Sequence, residues 1–283
     1  MSGRGLMALM VVLAATQAGA QTTALEALTR RDQLLGWEAV GRIDIDRGGF
    51  CTGALIATDL VLTAAHCVLD DKGAPIDPAR LTFRAGFAAG VSIAQAQVAR
   101  TVADPSYDAL TPVSADNVRH DVAILQLAQP IPAAVAAPYA VVSPGKGDAI
   151  SVVSYAEGRE DSLSWQRECH VLDRADSLIA MDCDVTFGAS GAPVFDRSGA
   201  RARIVSIISA GGPTDKGNIA YGMELPRVVR ELKAMLQAGK ILAEAGVVPA
   251  PAVANVPGVR RIGVGDGSSR DIGARFQKPK GAP

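Results

Sequence analysis

The chain has 283 residues and carries 28 Lys and Arg against 29 Asp and Glu, a formal net charge of −1. That balance gives no reason to expect nucleic acid or another polyanion as a partner, and the length leaves room for one large or two small domains. Glycine is frequent, at 29 residues, and short apolar runs alternate with turn residues, the pattern of an all-β barrel or sandwich.

In chain order, residues 1–20 read as a signal peptide: Arg4 is the positive n-region, Leu6 to Ala15 the apolar run, and Ala18-Gly19-Ala20 a small-residue cleavage site. The run is too short for a stable membrane span, so the expectation is a secreted or periplasmic protein starting at Gln21. Residues 21–35 read as a short helical or flexible pro-segment. The pair Arg30-Arg31 is a candidate processing site there, or simply a solvated face.

Strands are expected at Ala39–Asp44, Gly53–Ile56, Leu81–Ala85, Gln97–Val102, Val122–Leu127, Ile150–Tyr155, Glu168–Leu172, Leu178–Met181, Ile204–Ile208 and Ala220–Glu224. The first helix-length pattern runs from Pro226 to Leu236, with proline suited to the first turn. Residues 244–283 are rich in Ala, Pro and Gly, with six basic residues from Arg260 to Lys280 against Asp266 and Asp271. Such a segment buries too little apolar surface to offset its ordering entropy, and a disordered basic tail is expected.

Four cysteines, Cys51, Cys67, Cys169 and Cys183, in an exported chain favour disulfides, and the sequence alone allows three pairings. No CxxC or HxxxH spacing occurs, so no metal site is expected.

Two strings carry chemistry. His66 lies in TAAHC (63–67), and 124 residues later Ser190 lies in GASGAP (188–193). A serine hydroxyl becomes nucleophilic when an imidazole takes its proton and backbone N–H groups wait for the oxyanion. A buried carboxylate must hold that imidazole in the right tautomer. Asp121, in HDVAILQL (120–127), is the candidate, fixed at the head of an apolar strand. His120 would point to the opposite face of such a strand. His170 has no acid partner in a motif and reads as structural.

TAAHC, HDVAILQL and GASGAPVF, in that order, resemble the three active-site signatures of the chymotrypsin/trypsin superfamily of serine proteases. The resemblance covers roughly residues 36–240 and its His-Asp-Ser order differs from that of α/β-hydrolases. It implies two six-stranded antiparallel β-barrels, about 36–135 and 136–243, with a C-terminal helix. It implies Ser190 as nucleophile, His66 as general base and Asp121 as its orienting acid, with an oxyanion hole from the N–H groups of Gly188 and Ser190. It also implies the pairings Cys51–Cys67 and Cys169–Cys183; closing a loop of about 15 residues stabilises by on the order of 3 kcal/mol.

Ser209, Ala210 and Gly211 match the superfamily strand that lines the S1 pocket, Gly211 and Gly212 leaving its mouth open and Ala210 replacing the usual Trp. Asp184 lies six residues before Ser190, where trypsin-like enzymes carry the acid that binds Arg or Lys. Thr186 stands where a cysteine is usual. Ala189 stands where animal enzymes have the acid that pairs with a new N-terminus, so activation by N-terminus insertion is not expected. The short form is closer to bacterial V8-like (glutamyl endopeptidase-like) proteases. These hold glutamate with a histidine in the strand matched by Ser209, so glutamate specificity is not expected.

The function implied is a monomeric, cofactor-free serine endopeptidase acting on polypeptides through an acyl-enzyme. A silent peptide-binding homologue and an esterase using the same triad are the alternatives.

Overall fold

The computed structural model describes residues 23–46, 48–214 and 217–246. The signal peptide and nearly all of the basic tail lie outside the described residues.

The described chain opens with β1 (Leu25–Leu28), and then β2 (Val40–Ile45), β3 (Phe50–Ala57), β4 (Leu60–Thr63), β5 (Leu81–Ala85) and β6 (Ala94–Ala103). A short helix α1 (Ala115–His120) precedes β7 (Ala123–Leu127). The second half holds β8 (Ala149–Ala156), β9 (Arg159–Ala175), β10 (Leu178–Met181), β11 (Pro193–Asp196), β12 (Arg203–Ile207), β13 (Ala210–Thr214) and β14 (Gly217–Met223). Helix α2 (Pro226–Gln237) and the short β15 (Ala243–Glu244) end it.

Strands β2, β3, β4, β7, β6 and β5 pair antiparallel in that order, and β5 returns to β2, so the first barrel is closed and leaves no edge. The second sheet runs β12-β11-β8-β9-β10-β14-β13. Its ladder is open between β12 and β14, but residues 203–214 form one strand bent at Ile208–Ser209, pairing with β11 before the bend and β14 after it. The Ser206 hydroxyl spans the gap, donating to Met223 O at 2.9 Å and accepting from Met223 N–H at 3.0 Å.

Three expectations change. Residues 23–35 hold a strand followed by a 3-10 turn, Arg31–Leu34. Residues Leu25–Leu28 form a strand against β9, in the register Leu28↔Leu163, and Leu28 and Leu34 are buried. At the other end, Glu244 pairs with Arg100 and the Ala245 N–H donates to Ala99 O, so the fold extends past residue 243. Asp121 does not head a strand: it caps the C-terminus of α1, its N–H donating to Val118 O.

The barrels meet along an aromatic seam. Trp37 stacks on Trp165 of β9 at 5.3 Å and on Phe195 of β11 at 5.0 Å, and Tyr139 meets Phe195 edge-on at 4.7 Å. Such pairs add about 0.5–1.5 kcal/mol each beyond the area they bury. Helix α2 presents Val228, Val229, Leu232 and Leu236 to the protein, packing on β6 and β7 of the first barrel.

Candidate active site

His66 sits in a 3-10 turn (Ala65–Val68) directly after β4, and the Cys51–Cys67 disulfide ties that turn to β3. The other bridge joins Cys169 to Cys183, giving both pairings that the resemblance implied.

Asp121 is held by the end of α1, a helix started by the Ser114 hydroxyl accepting from Asn117 N–H. Its carboxylate is 3 % exposed and is used by three donors. Oδ1 accepts from the His66 backbone N–H at 2.9 Å. Oδ2 lies 2.7 Å from His66 Nδ1 and accepts from Ser209 Oγ at 2.6 Å. This fixes Nδ1 as the protonated nitrogen and leaves Nε2 to accept a proton. Burial alone would lower the His66 pKa, but the charge of Asp121 and the hydrogen bond to it outweigh burial and hold the ring above the ordinary histidine range.

Ser190 stands in a tight turn between Gly188 and Gly191, both with positive φ, +86° and +73°. At Gly191 a β-carbon would lie 2.1 Å from Thr63 Oγ1 and 2.5 Å from Thr52 O, so only glycine lets the serine turn dock on the residues that lead into His66. The N–H groups of Ala189, Gly191 and Ala192 donate to backbone carbonyls, whereas those of Gly188 and Ser190 meet no acceptor among the described residues. Two free N–H groups flanking a serine are what an oxyanion hole requires. No hydrogen bond joins Ser190 Oγ to the His66 ring among the described residues; such contacts are often long before substrate binds.

Two residues escaped the sequence reading. Thr52 is fully buried. Its N–H donates to Ser190 O at 2.9 Å, its hydroxyl donates to Gly188 O at 3.0 Å and accepts from Tyr155 N–H at 3.0 Å, and its carbonyl accepts from Thr63 Oγ1. It pegs the serine turn to both barrels. Ser209, expected on the pocket wall, instead turns its hydroxyl to Asp121. Nothing in the local sequence marks either hydroxyl, because each partner is far along the chain.

The expected pocket residues have different surroundings. Thr186 is exposed. Asp184 receives a hydrogen bond from Asn218 Nδ2 at 2.8 Å, and its own N–H donates to Gln166 Oε1. Ala210 is buried and pairs with Tyr221. A β-carbon on Gly211 would lie 2.6 Å from Val185 Cγ2. His120 ends α1, with Nδ1 at 3.0 Å from Asp104 Oδ2. His170 lies between Glu168 and Asp182, beside the second disulfide.

Residues 51–201 match the trypsin-like peptidase domain family, a span that holds His66, Asp121 and Ser190. The chain belongs to the trypsin-like peptidases. Among solved structures this peptidase resembles a Glu endopeptidase with a TM-score of 0.63 and 18 % identity, over 76 % of this chain and 97 % of that one. It also resembles a thermostable serine protease from an extremophilic microorganism, with a TM-score of 0.57 and 18 % identity, over 71 % and 98 %. At this identity the likeness is one of fold, the chymotrypsin-like two-barrel architecture. No curated protein matches the sequence.

Proposed function

We propose that the protein is an exported serine endopeptidase that cleaves peptide bonds through an acyl-enzyme, with Ser190, His66 and Asp121 as the triad. Ser190 Oγ attacks the scissile carbonyl while His66 Nε2 takes its proton, and the tetrahedral oxyanion is met by the N–H groups of Gly188 and Ser190. His66 then gives the proton to the leaving amine, and water repeats the sequence on the ester. Asp121 keeps its charge throughout and steadies the imidazolium. The observation that carries this reading is the His66 Nδ1–Asp121 Oδ2 contact of 2.7 Å, on an oxygen that also accepts from the Ser209 hydroxyl.

Export is supported by two disulfides, which persist in oxidising compartments. No helix among the described residues is long and apolar enough to cross a membrane. A protease domain reaching from Leu25–Leu28 to Ala243–Glu244 is supported by the pairing of those strands with β9 and β6.

Turnover of casein by the purified mature protein tests the reading, with Ser190→Ala as control. Loss of about 10⁶-fold in kcat is expected for the nucleophile. Casein cleavage that survives Ser190→Ala removes the proposed nucleophile. Binding of casein without cleavage by the wild type leaves the peptide-binding alternative.

A further inference from the structure

We infer that the pocket for the substrate side chain preceding the scissile bond is a short, uncharged slot closed by Val185, and that the enzyme cleaves after small uncharged residues such as alanine. This rests on the endopeptidase reading above. The strand from Ser209 to Gly212 is the superfamily's substrate-pairing wall, and Gly211 is the residue over which the side chain passes.

The space above Gly211 is taken. A β-carbon on Gly211 would lie 2.6 Å from Val185 Cγ2, 3.0 Å from Ile219 O and 3.2 Å from Ala220 Cα. The Val185 methyl therefore rests directly against the Gly211 backbone, where a wider slot would leave room for a ring or a long chain. Val185 is 5 % exposed and packs in one apolar cluster with Cys183, Ala189, Ala192, Ile208 and Ala220. That packing, with the Cys169–Cys183 disulfide two residues upstream, holds Val185 in position.

The acid next to Val185, Asp184, is half-buried and already engaged: its carboxylate accepts from Asn218 Nδ2 at 2.8 Å, and its N–H donates to Gln166 Oε1. An arginine or lysine reaching into the slot meets a valine methyl and would bury its charge unpaired. Glutamate meets the same wall, and the Ser209 hydroxyl is spent on Asp121. Charge selection at the Asp184 position thus gives way to size selection through its neighbour.

The test compares tetrapeptide p-nitroanilides that differ only in the residue before the scissile bond. For the wild type, kcat/KM for Ala should exceed that for Leu, Phe, Lys and Glu by at least about tenfold, the discrimination a filled apolar pocket supplies. Val185→Ala should raise Phe and Leu relative to Ala by at least about tenfold. Val185→Thr, which keeps the volume, and Asp184→Asn should keep the wild-type ratios.

Each rate is divided by the number of sites that a small fluorophosphonate labels, blocked in Ser190→Ala, so partly unfolded variants do not distort the comparison. A wild-type preference for Lys, Arg, Glu or Phe overturns the slot, as does an unchanged profile in Val185→Ala. Absence of labelling in the wild type overturns the hydrolase reading itself, and the slot with it.

Discussion

Asp121 holds His66 in two ways, and they separate experimentally. Its Oδ1 accepts from the His66 backbone, fixing the 3-10 turn, while Oδ2 fixes the ring. Asp121→Asn keeps the size and the backbone contact. It presents an amide that can stabilise the wrong tautomer, and kcat should fall about 10⁴-fold, the loss measured for this substitution in the superfamily. The pH profile should move too. The Asp121 carboxylate keeps the His66 pKa raised, so the acid limb of kcat/KM for the wild type should lie above the ordinary histidine value of about 6.5. In Asp121→Asn only burial remains, and the limb should shift down. Stability has the opposite sign. A raised folded pKa favours the fold below about pH 6.5, and that contribution is lost as pH rises through the raised value. Activity therefore climbs over the same window in which this part of the stability fades. An acid limb at or below 6.5 in the wild type, read from kcat/KM against pH, would contradict the coupling.

β1 shows how a segment of four residues can be structural without looking so. Leu-Glu-Ala-Leu is made of good helix formers, yet pairing with Gln166–Leu163 of β9 makes it a strand and buries Leu28. Leu28→Ala should cost about 2–5 kcal/mol, the range for a buried leucine. Glu26→Ala, which removes only the exposed pair with Arg167, should cost about 0–1 kcal/mol. Denaturant unfolding of both variants checks the contrast, and equal small losses would make β1 a dispensable strap. The same logic explains what could be read in advance. Leu81–Ala85 and Leu178–Met181 match expectation to the residue, the first from apolar residues alternating with Thr82 and Arg84, the second from a short continuous apolar run. Ala210–Thr214, with two glycines and a proline, has no strand pattern of its own, and pairing with β14 makes it a strand. The strings around His66, Asp121 and Ser190 are distinctive enough to single those residues out. The contacts of Thr52, of the Ser209 hydroxyl and of Val185 are not written in any string, since a hydroxyl or a methyl gains its surroundings from a neighbour far away in sequence.

The two barrels are laced together, and the proposed reaction would depend on the lacing. His66 and Asp121 belong to the first barrel and Ser190 to the second, while Ser209 of the second donates to Asp121 of the first. The ends of the fold cross over: β1 joins the second sheet and β15 the first. A small rotation between barrels would part the serine turn from Thr52 and Thr63, where docking leaves no spare room at Gly191. The aromatic seam resists that rotation. Trp37 is its centre, touching Trp165 and Phe195, and Tyr139 donates from its hydroxyl to Gly36 O beside it. Trp37→Ala should cost about 3–5 kcal/mol. Its signature is the order of events on heating. The closed first barrel keeps its own ladder, so the juncture should loosen first, and activity should fall several degrees before far-ultraviolet dichroism reports loss of strands. In the wild type the two melts should coincide. Coincident melts in Trp37→Ala, merely shifted to lower temperature, would mean that the seam adds stability without positioning the serine against the histidine.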